Sequence, residues 1–414
     1  MTPVTRLPAW PLSRRRLLAG AGLAVTCLSL PGRAQTPDMA PDGFRILRAR
    51  RAGQTPTLVH GYDGLVPGPT LRVKRGEELR VRLVNELSEP TTVHWHGVRV
   101  PNAMDGVAHL TQPPVAPGAS FDYRFRPPDA GTFCYRSNVH SSSDDDRGLY
   151  GALIVEEPQR IDVDHDVLLA FDDWRLAPAL DLPVRVNARL RLRVLNASRS
   201  QALALRIDRH AAWVMAIDGQ PAEPFLARDS RVMLGPGNRV DVFVDAALAA
   251  GDSAPILVEG ARAALPIARV VYERAEPLRP TPLPEPKPLP PNPLPQRLDL
   301  KGALRHDLAL AALVQISAPL HERPPIFSAK RGRVVVLALV NRAEHACAVH
   351  IHGHHGRLLD RLDDGWKPFW LDTVVVAPRQ TERIAFLADN PGKWAIDATM
   401  LGASGGMAGW FEVT

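Results

Sequence analysis

The sequence predicts an all-β fold built from several β-sandwiches, and three observations carry that expectation. First, no long amphipathic helical pattern occurs anywhere in the 414 residues. Second, short β-rich runs recur between Gly and Pro turns, at Thr70–Val73, Glu78–Val84, Ser120–Arg126, Leu153–Glu156, Arg189–Leu195, Val240–Val244, Arg333–Val340 and Arg383–Ala388. Many are rich in Val, Leu and Arg with alternating polarity, the pattern of half-buried antiparallel strands. Third, such strands at short spacing are the signature of sandwiches rather than of a helix-covered parallel sheet.

The chain divides by composition. In residues 277–296 ten of twenty positions are proline, which fixes φ and donates no hydrogen bond, so an extended polyproline-like linker is expected there. A softer boundary falls near Glu156-Glu157-Pro158. The expected organisation is a leader over 1–34, domains over 43–157 and 158–276, the linker 277–296, and a domain over 297–414.

The net charge of +6 is local, because Arg6, Arg14, Arg15, Arg16 and Arg33 supply five of it with no acid before residue 35. The remainder carries only +1, so nothing in its charge calls for nucleic acid, which needs a basic stripe on the folded surface. Ser13-Arg14-Arg15-Arg16-Leu17-Leu18 followed by the apolar run Ala19–Leu30 reads as a twin-arginine signal peptide with cleavage after Ala34. The expectation is therefore a periplasmic protein with no transmembrane segment after signal removal. The alternative is a basic, apolar N-terminus that merely anchors the chain. Beyond the leader only Cys134 and Cys347 remain, enough for one bridge but not for a disulfide framework.

Two short motifs suggest a metal. His94-Trp95-His96-Gly97 ends a β-type run, and on a strand residues i and i+2 share a face, so both imidazoles can enter one site. His350-Ile351-His352-Gly353 repeats the arrangement in the last domain. Two such pairs from distant parts of the chain are what an interdomain site requires. Imidazole suits copper, zinc, nickel and iron, and copper binds most tightly of the divalent series.

Longer motifs add a family resemblance. His94-Trp95-His96-Gly97, Asn102-Ala103-Met104-Asp105-Gly106-Val107 and Gly131 through Gly151 resemble, in order and spacing, the first domain of a multicopper oxidase. Leu195-Asn196-Ala197-Ser198, Asp218-Gly219 and Gly235 through Asp241 resemble the second domain, and residues 347–354 with Gly406-Met407 the third. The resemblance implies three cupredoxin-like Greek-key β-sandwich domains. It also implies a type 1 copper held by Cys, two His and an axial Met, and a trinuclear cluster held by eight His that reduces dioxygen.

Carried over residue by residue, most of that ligand set is missing. His94 and His350 stand at type 2 positions, and His96 and His352 at type 3 positions. Where the family has Trp-Tyr-His-Ser-His this chain has Cys134-Tyr135-Arg136-Ser137-Asn138, and Cys347 replaces a type 1 histidine. Counting back from Gly406-Met407 puts the His-Cys-His triplet on Ile396-Asp397-Ala398 and the last type 1 histidine on Gly402. Four of eight cluster ligands remain, and of the type 1 set only Met407. Arg136 also places a permanent positive charge in the site. Asp105 matches a family acid that delivers protons, but an Asp-Gly pair is also an ordinary turn. Cys347 could ligate copper or be a small buried apolar side chain. His140 could reach the site or lie on a solvated loop.

Three readings follow. In the first, a single copper ion, or zinc, is held by His94, His96, His350 and His352. In the second, a metal-free scaffold acts through a periplasmic protein partner, resembling copper-free relatives associated with cell division. In the third, an oxidoreductase works through an unconventional site. Without the Cys–His relay, laccase-type turnover is not expected.

Overall fold

Alternation of buried and half-buried positions, clearest in Leu79–Asn85, gives each strand one apolar face, and the strands close into six sheets that pair by region of the chain. The computed structural model describes residues 38–53, 59–139, 147–172, 179–259, 264–315, 320–359, 366–403 and 406–414. The leader 1–34 and His140 lie outside the described residues. Each two-sheet unit has the cupredoxin-like form that the resemblance implies, the strands falling within residues 45–156, 165–272 and 304–413.

The pairing is not purely antiparallel as expected. Arg45–Ala52 runs parallel to Leu79–Asn85, His165–Phe171 to Arg189–Asn196, and Leu304–Ala309 to Arg333–Val340. In each unit the first strand is therefore connected to this parallel partner by a crossover rather than a hairpin. Arg189–Asn196 also departs from the half-buried expectation, because every residue in it is buried. Its arginines are accommodated by carboxylates: Arg191 Nε donates to Asp241 Oδ2 at 2.9 Å, and Arg193 Nε to Asp166 Oδ1 at 2.6 Å. Alternating polarity here marks a buried ionic face, not a solvated one.

The core explains why the two His-x-His motifs meet. One contiguous apolar cluster joins the first and last units, running from Leu47, Trp95 and Tyr135 to Val349, Trp394 and Phe411. The middle unit has its own core around Leu192, Val242 and Ile256.

The proline-rich segment is no free spacer. Polyproline-like backbone leaves its carbonyls without internal donors, and arginines of the first two units supply them. Arg75 donates to Pro291 O at 3.1 Å, Arg99 to Pro293 O at 3.3 Å, Arg185 to Pro277 O at 3.1 Å and Arg189 to Pro284 O at 2.7 Å. Asn292 is the buried fastener. It accepts from Ala130 N at 2.8 Å and donates to Ala130 O and Gln220 Oε1, both at 2.9 Å. Asn292→Ala strands those partners and is expected to lower stability by about 1–3 kcal/mol. Urea unfolding of the full chain measures this, and an unchanged midpoint would count against the strap.

Candidate metal centre

The strand His94–His96 lies beside Gly131–Arg136, with His94 opposite Arg136 and His96 opposite Cys134. Cys347–Ile351 lies between Thr373–Val376 and Gly392–Met400, with His350 opposite both Thr373 and Asp397. The glycine after each histidine pair is sterically required. Gly97 has φ +82°, and a Cβ there would run into the Arg239–Asp372 ion pair. Gly353 has φ +66°, and its Cβ would strike the Trp394 ring. Both glycines thus let the histidine strands press against buried neighbours.

All four sequence-derived histidines come together at the junction of the first and last units. His94 and His96 are each 1 % exposed, His350 3 % and His352 0 %. His96 stacks on His350 with ring centroids 3.6 Å apart, and His94 lies 4.0 Å from His352. A ligand nitrogen from each of His94, His96 and His350 lies within 4.8 Å of the other two.

The hydrogen-bond network assigns the tautomers. His94 Nδ1 donates to Asp105 O at 2.9 Å, and His350 Nδ1 to Asp372 O at 3.0 Å. The Thr373 hydroxyl donates to Asp372 Oδ1 at 2.7 Å, so it accepts from His350 Nδ1, 3.1 Å away, and from His96 Nε2, 3.0 Å away. Burial holds His94 and His96 below the usual imidazole range and pushes His350 down to about 3. These rings are therefore neutral, and His94 Nε2 and His350 Nε2 face each other as lone pairs 3.2 Å apart. His96 Nδ1 is buried with no partner. Lone pairs facing each other in a low-dielectric site repel unless a cation or proton stands between them. The donor set fits one imidazole-seeking ion, since two nitrogens each about 2.0–2.1 Å from a near-tetrahedral ion lie slightly over 3 Å apart.

His352 is bound differently. Its Nδ1 donates to Asp105 Oδ2 at 2.9 Å and its Nε2 to Asp397 Oδ2 at 3.0 Å. Burial opposes its charge, but the two carboxylates win and push it up to about 10. His352 is an imidazolium clamped between acids, with both nitrogens used. Asp105 belongs to the site and not to a solvated turn: it is fully buried, and His352 and His94 hold its carboxyl well below the ordinary range despite burial.

The alternation of Gly392–Met400 corrects the reading of the fourth motif. Asp397 faces the histidines and also accepts from Asn138 Nδ2 at 3.1 Å, whereas Ile396 and Ala398 face the apolar core. Cys347 is in that same core. In the family pattern the outer residues of the triplet bind the cluster and the middle one the type 1 copper. The triplet therefore falls on Asp397-Ala398-Thr399, one residue later than counting back from Gly406-Met407 gave. On that register Asp397 takes a flanking position of the triplet and Ala398 its middle. Cys347 lies on the face opposite His350, and burial pushes its thiol up to about 11, so it is a core side chain. Cys134 and Cys347 are both free.

Asp372, Thr373, Arg239 and Asp218 support the site, and no motif reading singled out their roles. Arg239 Nη1 donates to Asp372 Oδ1 at 2.9 Å, and its Nη2 pairs with Asp372 Oδ2. Burial opposes ionisation of Asp372, but Arg239 and bonds from His350 and His355 hold its carboxyl well below the ordinary range. Asp218 accepts from Arg239 N at 3.0 Å and Thr373 N at 3.2 Å, and burial beside Asp372 raises it to about 6. The signal available was Asp218-Gly219 and Gly235 through Asp241, which showed a domain signature but not its contact with the histidines.

Three sandwich units with paired His-x-His motifs between the first and last define a protein of the multicopper oxidase type. Comparison with known proteins agrees. Multicopper oxidase family models match residues 46–160, 120–254 and 290–414. Multicopper oxidase MmcO of Mycobacterium tuberculosis is 26 % identical over 88 % of this chain and 84 % of its own length. Among solved structures, Lac15 from a marine microbial metagenome is 32 % identical with TM-score 0.76, covering 89 % of this chain and 99 % of that one. A multi-copper oxidase from Pseudomonas thermotolerans is 30 % identical with TM-score 0.77, covering 89 % and 98 %. The chain belongs to the multicopper oxidase family.

Two predictions follow from these contacts. His352 has a folded pKa of about 10 against an ordinary 6.5, so its contribution to stability is full below pH 6.5 and is lost as pH rises through 10. In Asp397→Asn that loss should be smaller and complete at a lower pH, as read from thermal unfolding of metal-free protein at stepped pH. Arg239→Ala leaves Asp372 and Asp218 as unpaired buried acids and should cost about 3–5 kcal/mol in denaturant unfolding. A loss under about 1 kcal/mol, the range of an exposed pair, would contradict the buried clamp.

Proposed function

We propose that this protein is a periplasmic, twin-arginine-exported member of the family that binds at most one copper ion. It lacks a type 1 copper and an intact trinuclear cluster. The observation that carries this reading is the pair of imidazole lone pairs, His94 Nε2 and His350 Nε2, facing each other 3.2 Å apart with both Nδ1 protons already committed. His96 is the third ligand beside them. His352 stands at a family ligand position, but it would have to give up its bonds to Asp105 and Asp397 to join. Copper bound there would supply slow one-electron chemistry. Ala398 where the family carries its cysteine removes the thiolate route for rapid electron delivery, so efficient laccase-type turnover is not expected.

One observation favours the second reading, a metal-free scaffold acting through a periplasmic protein partner. The His352 imidazolium bridges the Asp105 and Asp397 carboxylates and Arg136 stands opposite His94, so internal cations occupy positions where the family holds copper.

Copper content per chain after reconstitution, with an electron paramagnetic resonance spectrum of the same sample, separates the two. About one copper with a type 2 signal and no intense blue thiolate band is expected. That copper should fall to background in the His94→Ala, His350→Ala double variant. Copper at background in the unaltered protein would favour the scaffold, and a strong blue band with rapid oxidase turnover would overturn both.

A further inference from the structure

We propose that the middle unit carries a second ligand site, for a small zwitterion with an apolar body. The charge pattern is that of a free amino acid or a dipeptide. None of the four candidate histidines lines this site, and it needs no metal.

The site is a cavity of about 350 Å³, within the size range of small-ligand pockets. His165–Phe171 is the outermost strand of one sheet of the unit and Leu180–Val184 of the other, and His165, Pro183 and Val184 all line the cavity. The start of the proline-rich strap adds a third wall, tied to both sheets. Arg279 Nη2 donates to Asp164 Oδ1 at 2.7 Å, Arg185 Nε to Glu276 O at 2.8 Å, and Leu278 N to Val186 O at 2.9 Å. The walls are thus fixed before a ligand arrives, which lowers the ordering cost of binding. Pro183 has no N–H to donate from an outer strand. That disfavours an added β-strand as the occupant and leaves a discrete small molecule.

Charge then selects the ligand. Asp164 is committed to Arg279, and Arg185 to carbonyls of the strap. Arg160 and Glu273 are not committed. Both are exposed, both line the cavity, and neither side chain has a hydrogen bond or ion pair among the described residues. Val163, Val184 and Leu278 supply apolar lining. Leu278 is 37 % exposed while Leu289 of the same strap is 5 % exposed, so the strap can bury a leucine yet leaves this one open at the cavity. An anion alone would face Glu273, and a cation alone would face Arg160. A neutral apolar molecule would strip water from both charges without replacing it. A ligand with both charges meets each with its opposite and covers the leucine.

Leucyl-leucine is the probe, titrated into the full chain without added metal and followed by ligand-observed nuclear magnetic resonance. N-acetyl-leucyl-leucine lacks its cation, and leucyl-leucine amide lacks its anion. Saturable binding of leucyl-leucine in the millimolar range is expected, with each capped form about fivefold weaker. Glu273→Gln should erase the preference for the free amine and keep that for the carboxylate, and Arg160→Gln should do the reverse. Absence of saturable leucyl-leucine binding overturns the inference, as do preferences that persist in both variants. A preference for the carboxylate alone, lost in Arg160→Gln and untouched in Glu273→Gln, marks a plain anion site and also overturns it. No outcome bears on the copper reading, because the two sites share no residue.

Discussion

The guanidinium of Arg239 sits where all three sandwich units meet. It is fully buried, it belongs to the middle unit, it pairs with Asp372 of the last unit and it donates to Thr132 O of the first at 3.3 Å. A charge so placed is tolerated only while every partner is present. Its consequences reach the histidines: Asp372 and its neighbour Thr373 accept the His350 Nδ1 proton, and Thr373 accepts the His96 Nε2 proton. One ion pair therefore fixes the relation of the three units and the tautomers of two candidate ligands.

Around that clamp the middle unit serves as an anchor and supplies no candidate metal ligand among its described residues. Its buried arginines reach outward, Arg193 to Thr132 Oγ1 at 2.9 Å, while Asp241 accepts from that same hydroxyl at 2.7 Å. The proline-rich strap crosses the first two units before the chain enters the last, and Asn292 ties it to Ala130 and Gln220. The first and last units then share one apolar cluster, so His94–His96 and Cys347–Ile351 approach as parts of a single core. The candidate metal centre is preorganised by domain packing.

The site joins two unlike halves. Family positions that would hold metal ions carry Arg136, Asn138 and Asp397, and the result is an internal salt bridge, Asp105–His352–Asp397, beside a pocket of neutral imidazoles. The protonated histidine occupies one half and the lone-pair-bearing ones the other. The two halves therefore differ in what they need: carboxylates satisfied by a protonated imidazole have no call for a cation, whereas facing lone pairs without protons do.

Much of this was legible in the chain. The alternating runs gave the strands, because a half-buried strand must show period two, and the paired His-x-His-Gly motifs named the four histidines. Arg136, Asn138 and Cys347 could be read as departures from the family pattern. Three things could not. The fully buried strand Arg189–Asn196 looked half-buried, since polarity in sequence does not say whether a charge meets water or a carboxylate from elsewhere. The register of Gly392–Met400 was misplaced by one residue, and a one-residue slip exchanges the two faces of a strand. That exchange turned Asp397 from a failed thiolate into the partner of His352. The protonation of each histidine depends on acceptors up to 277 residues away, as with Thr373 and His96. Local order determined which side chains could share a face. Only packing of distant strands decided which nitrogens keep a free lone pair, because that depends on partners the local sequence does not contain.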